Sequence, residues 1–348
     1  MNARERIMAA LRGEPSDGVP WTIYEGLLPR GQAERELRNR GLGLVVMRRI
    51  YQIERPNVRV EVKEAWHEGY RFVCRTYHTP LGSVSERLQL GHAYGTWWIK
   101  EFMAKDVSDY GVLRFIIEDG VIHKDYGAFL QAGDELGGDG VVIAQIGESP
   151  LQTLQKEIMG MEQLSLWMYD HPRELEGLLT ALEEKQKEIF QIAAESPAEL
   201  VHSDENITAT MTSPRAFERY CLPFYERHVP GLHQAGKLYL THFDGLTRSL
   251  RNLIAKTPID VIEAFTPPPM GDLPVREAKE AWKDKVIWSN FPGCVFLWKD
   301  EEIRDYTVEL LREASPGGRF ILGCTEDIDR WKRGWAVVAE GIAEYESS

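Results

Sequence analysis

The chain has only four cysteines in 348 residues, Cys74, Cys221, Cys294 and Cys324, and they are widely spread. That spread argues against a disulfide framework; each thiol is expected to be reduced, and either packed or a ligand. No apolar run approaches the length needed to cross a bilayer. The opening MNARERIMAALRGEP lacks the apolar stretch of a secretory signal, so a cytoplasmic location is expected. Positive charge is also in short supply. A formal net charge of -13 argues against nucleic acid or an anionic membrane as the main partner. No glycine-rich phosphate loop follows an expected strand: LGGDG at 136–140 precedes its strand, which removes the dinucleotide fingerprint.

What is present is a repeating α/β pattern. With 43% hydrophobic content the chain can bury a large core. Apolar runs at 19–24, near Leu42, and at 140–145, 199–202, 237–241, 259–263, 285–289 and 319–323 read as strands. Amphipathic helices separate most of them, which implies parallel pairing with right-handed crossovers. Eight such units predict a closed (β/α)8 TIM barrel, with an open doubly wound sheet as the alternative. Residues 57–90 break the rhythm: VRVEVKEAW and YRFVCRTYHT alternate apolar with polar residues around a glycine turn. The expectation is one barrel domain over 1–348 that carries an antiparallel β-meander insertion at 57–100. The aromatic stretch with Tyr94, Trp97 and Trp98 either roofs a pocket or seams the insertion to the core.

Barrel enzymes place their chemistry at the C-terminal ends of strands. The stretch KLYLTHFDG at 237–245 is a buried run that delivers His242 and Asp244 to its tip, and RFILGC at 319–324 delivers Cys324. Other strand ends carry Tyr24 and Glu25, Gln145 with Glu148, Asp204-Glu205-Asn206, Glu263, Asn290, and Glu326. So many carboxylates in one closed pocket call for a neutralising cation, and imidazole, thiolate and carboxylate together favour zinc. Plainer roles stand beside these. His242 is equally suited to a hydrogen bond within the barrel, Cys324 to packing, Glu205 to capping a turn, and Asp244 to capping the helix near Leu246. Cys74, Cys221 and Cys294 are assigned to packing.

Three segments, RERIMAALRGEPSDGVPW, SPRAFERYCLPFYERHVPGLHQAGKLYLTHFDG and GGRFILGCTEDI, resemble the uroporphyrinogen decarboxylase-like superfamily nearly end to end. The resemblance implies a (β/α)8 barrel. True decarboxylases of that superfamily carry an R-Q-A-G-R type motif; the corresponding TIYEGLLPRG has one arginine and an added glutamate, so porphyrinogen decarboxylation is not expected. The other branch comprises corrinoid-dependent methyltransferases that hold zinc through His-x-Cys and a distant second Cys. His242 and Cys324 match two of those positions, and Asp244 stands in place of the first Cys. A carboxylate in that place leaves a harder Lewis acid, suited to polarising an ether oxygen.

The expectation is therefore a zinc-dependent O-demethylating methyltransferase, moving methyl from a methoxylated substrate, aromatic in the first instance, to a corrinoid on another protein. No D-x-H-x-x-G cobalamin signature is present, so the corrinoid arrives on that partner. Metal ligands are expected to be His242, Cys324 and Glu205 or Asp244. Glu148, Asp204, Asn206 and Asp244 are the catalytic candidates, and Tyr24, Glu25, Trp97, Glu263 and Asn290 are the substrate contacts. Two rivals are a metal-independent lyase or decarboxylase using Asp244 and His202, and a non-catalytic barrel within a corrinoid complex. Exposed aromatics and the insertion are compatible with a homodimer.

Overall fold

The apolar runs become eight strands, all parallel to their neighbours: β1 (Thr22–Tyr24), β2 (Gly43–Arg49), β3 (Gly140–Gln145), β4 (Leu200–Ser203), β5 (Leu238–His242), β6 (Val261–Phe265), β7 (Val286–Asn290) and β8 (Phe320–Gly323). The sheet closes on itself through a parallel bridge between Trp21 and Leu322. Leu322 N–H donates to Pro20 O at 3.0 Å, and Cys324 N–H donates to Thr22 O at 3.0 Å. The barrel expectation holds, and the strand expected near Leu42 is the seven-residue β2. This computed structural model describes residues 1–28, 30–91, 96–315, 318–325 and 331–348. Tyr94 and Glu326, read above as pocket and strand-end residues, lie outside the described residues.

The chain divides into two compact units. The first, Met1–Ile50 with Tyr126–Gly147 and Ala193–Ser348, holds the barrel. Its opening helix, Ala3–Arg12, starts at a capping box between Asn2 and Glu5 and stops at Gly13, whose φ of 71° is the left-handed conformation glycine favours. Ile7, Met8, Ala10 and Leu11 of that helix share one buried cluster with Val45, Val141, Ile143, Leu200, Leu240, Val261, Val286, Trp288 and Ile321 of the strands. The helix therefore plugs the barrel core from below the site.

β6 is irregular. Ile262 pairs with Ile287 but Phe265 pairs with Ser289, so one extra residue is accommodated between them, and Ala264 takes a φ of 56°. Val261 and Glu263 consequently face inward, while Phe265 turns out to meet Trp282 edge-on, with ring centroids 5.7 Å apart.

The second unit, Tyr51–Asp125 with Glu148–Ile192, holds a four-stranded antiparallel sheet in the order Arg59–His67, Tyr70–Thr79, Gly82–Leu90, Trp97–Glu101. It is the expected meander with one more strand, the aromatic stretch, on its edge. A separate antiparallel pair joins Tyr51–Glu54 to Val121–Lys124. Among the described residues, no helix is long and apolar enough to cross a membrane.

Candidate metal centre

Strand parity selects the side chains that enter the barrel. In β5, Leu238 and Leu240 contact the interior cluster, so His242 faces the same way. By the same alternation Leu200 precedes His202, Val261 precedes Glu263, Val141 and Ile143 precede Gln145, and Val286 and Trp288 precede Asn290. His242, Gln145 and Asn290 end their strands, while His202 and Glu263 lie one and two residues before the ends of theirs. Register then places His242 beside Glu263 and His202 beside Gln145.

The Glu263 carboxylate is the centre of the group and is 1% exposed. Its Oε2 lies 2.8 Å from His242 Nδ1 and 3.3 Å from His202 Nε2, and its Oε1 accepts from Tyr24 Oη at 2.6 Å. Behind His202, Nδ1 meets Asp204 Oδ1 at 3.0 Å, and the same oxygen accepts from Gln145 Nε2 at 3.0 Å. The two imidazole rings are nearly perpendicular, 87° between planes. A continuous polar chain thus runs from Gln145 through Asp204, His202 and Glu263 to Tyr24 and His242.

Burial pushes the Glu263 carboxyl up, but the His242 and His202 imidazoles outweigh it and hold the pKa well below the carboxylate range. Burial pushes His202 down; its bonds to Asp204 and Glu263 prevail and raise it to about 9. Tyr24 is driven well above the phenol range, first by burial and then by the Glu263 charge. In the metal-free state the group is therefore a carboxylate clamped by imidazoles, with a phenol that stays protonated.

The same atoms suit a cation. His202, His242 and Glu263 each offer one ligand atom, all within 4.8 Å of one another. Zinc bonds of about 2.0–2.1 Å set tetrahedral ligand atoms about 3.3 Å apart, a spacing His202 Nε2 and Glu263 Oε2 already have at 3.3 Å. Two imidazoles and a carboxylate match the three-residue donor set of catalytic zinc sites. Asp204 supplies the outer carboxylate that fixes which His202 nitrogen points inward. The donor set is compatible with zinc.

Of the residues expected to bind metal, His242 joins this cluster; Cys324 and Glu205 are not members. Cys324 is 1% exposed just past β8, and its sulfur is among the groups that raise the Tyr24 pKa. Glu205 accepts from Ser203 Oγ at 3.0 Å, and its charge acts on Tyr225 and Tyr239, which places it behind the strands rather than in the lumen. Asp244 is half-buried, with Oδ2 3.9 Å from His242 Nε2. Asn290 donates from Nδ2 to Thr266 Oγ1 at 3.2 Å and accepts from Thr325 N–H at 3.1 Å. Glu25 is paired with Arg48, and Asn206 is half-buried. Glu148 and Trp97 belong to the second unit: Glu148 pairs with Lys156 at 2.7 Å, and the Arg71 guanidinium lies 5.6 Å from the Trp97 ring. Sequence reading gave His202 only a lyase role and made Glu263 a substrate contact. The alternation from Leu200 and from Val261 was the signal that both enter the lumen beside His242.

A methyltransferase from Methanosarcina mazei has a similar fold: 12% identity, TM-score 0.63, with 99% of each chain covered. A protein from Listeria monocytogenes described as a vitamin-B12 independent methionine synthase is 12% identical over 72% of this chain and 70% of its own, at a TM-score of 0.37, too low to carry an argument. No curated protein matches the chain significantly. The sequence profile of the uroporphyrinogen decarboxylase (URO-D) family matches residues 115–328, well over half the chain. With a closed eight-stranded parallel barrel beneath that match, the chain belongs to the uroporphyrinogen decarboxylase (URO-D) family.

Proposed function

We propose that the protein is a zinc-dependent methyltransferase that removes methyl from a methoxylated substrate, aromatic in the first instance, and passes it to a corrinoid carried by a separate protein. The observation that carries this reading is the His202, His242 and Glu263 cluster at the C-terminal mouth of a URO-D-family barrel. The fold shared with the Methanosarcina mazei methyltransferase supports the same branch. When bound, zinc would supply Lewis acidity toward the ether oxygen, so that the departing alkoxide or phenolate is stabilised.

The remaining work falls to the chain itself. His202, His242 and Glu263 are the residues that would hold the metal. Asp204 and Gln145 fix the His202 ring from behind. Tyr24 Oη keeps its proton and binds Glu263 Oε1, which orients the carboxylate. Asp244, a half-buried carboxylate with Oδ2 3.9 Å from His242 Nε2, would hand a proton to the leaving oxygen. Metal analysis of the purified protein, followed by methyl transfer to free cob(I)alamin from methoxyaromatics, amines and thiols, tests the proposal. Bound zinc that is lost in His242→Ala and Glu263→Gln, with methoxyaromatic turnover, is expected; turnover after exhaustive chelation would overturn it.

One observation favours a second reading. Without metal, Asp204, His202, Glu263, His242 and Tyr24 already form a linked hydrogen-bond relay, as an acid–base lyase or decarboxylase would use. Metal-independent turnover of a carboxylated substrate without corrinoid would select it.

A further inference from the structure

β2 is the longest strand of the barrel and ends on two arginines, Arg48 and Arg49. β1 pairs with it only as far as Val45, and β3 accompanies it four residues further, to Arg49. Alternation sends the two arginines to opposite faces. Arg48 follows Leu44 and Val46; with them and with Ala132 and Glu135 it lines a cavity between β2 and the helix Gly127–Leu136, and it pairs with Glu25. Arg49 follows Val45, a member of the interior cluster, and Met47, which packs against that cluster. Its side chain therefore leaves the strand on the mouth side, where it is exposed.

Arg49 is in register with Gln145, and Gln145 is in register with His202. Neighbouring strands lie about 4.8 Å apart, so Arg49 starts about 10 Å from His202. That separation leaves it outside the group of His202, His242 and Glu263, yet one small ligand is long enough to touch both. Six other described side chains turn inward at or near strand ends, namely Tyr24, Gln145, His202, His242, Glu263 and Asn290. They are a phenol, two amides, two imidazoles and a carboxylate. Arg49 is the one guanidinium in this described set, and a guanidinium keeps its charge at every pH of interest.

If the cluster holds a cation, the mouth has two seats for an anion: that cation and Arg49. A substrate carboxylate bound at the cation would turn an ether oxygen away from it. A guanidinium takes a carboxylate through two parallel N–H bonds and so offers the competing seat, with a fixed direction. We propose that Arg49 is the specificity-determining residue of the mouth: it binds a carboxylate on the substrate and turns the ether end toward the cluster, so that the substrate is a methoxylated aromatic acid. The ether end of this inference rests on the methyltransferase reading; the carboxylate end does not.

The test compares 4-methoxybenzoate with its neutral counterpart 4-methoxybenzamide, by calorimetric binding and by methyl transfer to free cob(I)alamin. The acid is expected to bind about ten- to one-hundred-fold more tightly than the amide. Arg49→Gln is expected to collapse that ratio through loss of acid affinity, and Arg49→Lys, which keeps the charge without the fork, to retain part of it. Because the arginine takes the carboxylate, the ratio is expected to survive chelation. Equal affinity for acid and amide, a ratio unchanged in Arg49→Gln, or a ratio that vanishes on chelation would each overturn the proposal. Methyl transfer from acid and amide alike overturns it and leaves the methyltransferase reading standing. An Arg49-dependent preference for the acid with no methyl transfer from either overturns that reading and upholds Arg49 as the carboxylate seat.

Discussion

Glu263 is a buried carboxylate held by two imidazoles and a phenol, and its neighbours have consequences that can be measured. Asp204 touches His202 at the nitrogen facing away from the cluster. If the cluster holds zinc, an outer carboxylate of this kind raises ligand basicity and fixes the ring, so Asp204→Asn is expected to lower zinc affinity by about 10–100-fold. Competition against a chromophoric chelator reads this without an activity assay. The metal-free protein should also report on His202 through pH. Its folded pKa, about 9, lies above the ordinary 6.5. The stabilisation from its imidazolium is then fully present below pH 6.5 and lost as pH rises through about 9. Urea midpoints in chelator should fall across that window, and the fall should flatten in His202→Gln. Glu263 has the opposite sign: its depressed pKa gives stability present above the ordinary 4.5 and lost as pH falls toward the folded value.

At the scale of elements, the site depends on how closely strands approach and where they bend. Gly140 opens β3, the strand that ends in Gln145. A methyl group there would stand 1.9 Å from Leu44 O on β2, which is backbone and cannot swing aside. Gly140→Ala is expected to cost at least about 2 kcal/mol, measured as a drop in urea-unfolding free energy. The extra residue in β6 is a different kind of feature. Ala264, at a φ of 56°, adopts a backbone conformation that nothing in the letters VIEAF announces. Without that bend Phe265 would follow Glu263 into the barrel. With it, Phe265 packs outward on Trp282 and Glu263 keeps the mouth to itself. KLYLTHFDG was readable because its apolar run ends abruptly in polar residues at the strand tip. The β6 and β4 contributions were harder to read, since Glu263 and His202 each sit at the junction between a strand and an irregular segment.

For the whole molecule, ligand binding and folding are linked. If zinc binds the native cluster and not the unfolded chain, zinc at about one hundred times its Kd should stabilise the protein by about 2.7 kcal/mol. A rise in Tm on adding zinc, absent in His242→Ala, is the expected result in thermal unfolding. The sequence by itself determined the barrel and the antiparallel insertion. Those follow from local periodicity, two residues per repeat in strands and amphipathic spacing in helices, which each segment carries internally. It also singled out His242, because a polar residue ending an apolar strand must lie at the mouth. Only the tertiary structure decided its companions. Cys324 and Glu205 matched in residue type, but which side chains converge on His242 depends on the face of the strand each one leaves from. Closure of the cylinder and the slip in β6 bring His202 and Glu263 to His242. Those distances are set by register between strands far apart in the chain, and no single segment encodes them.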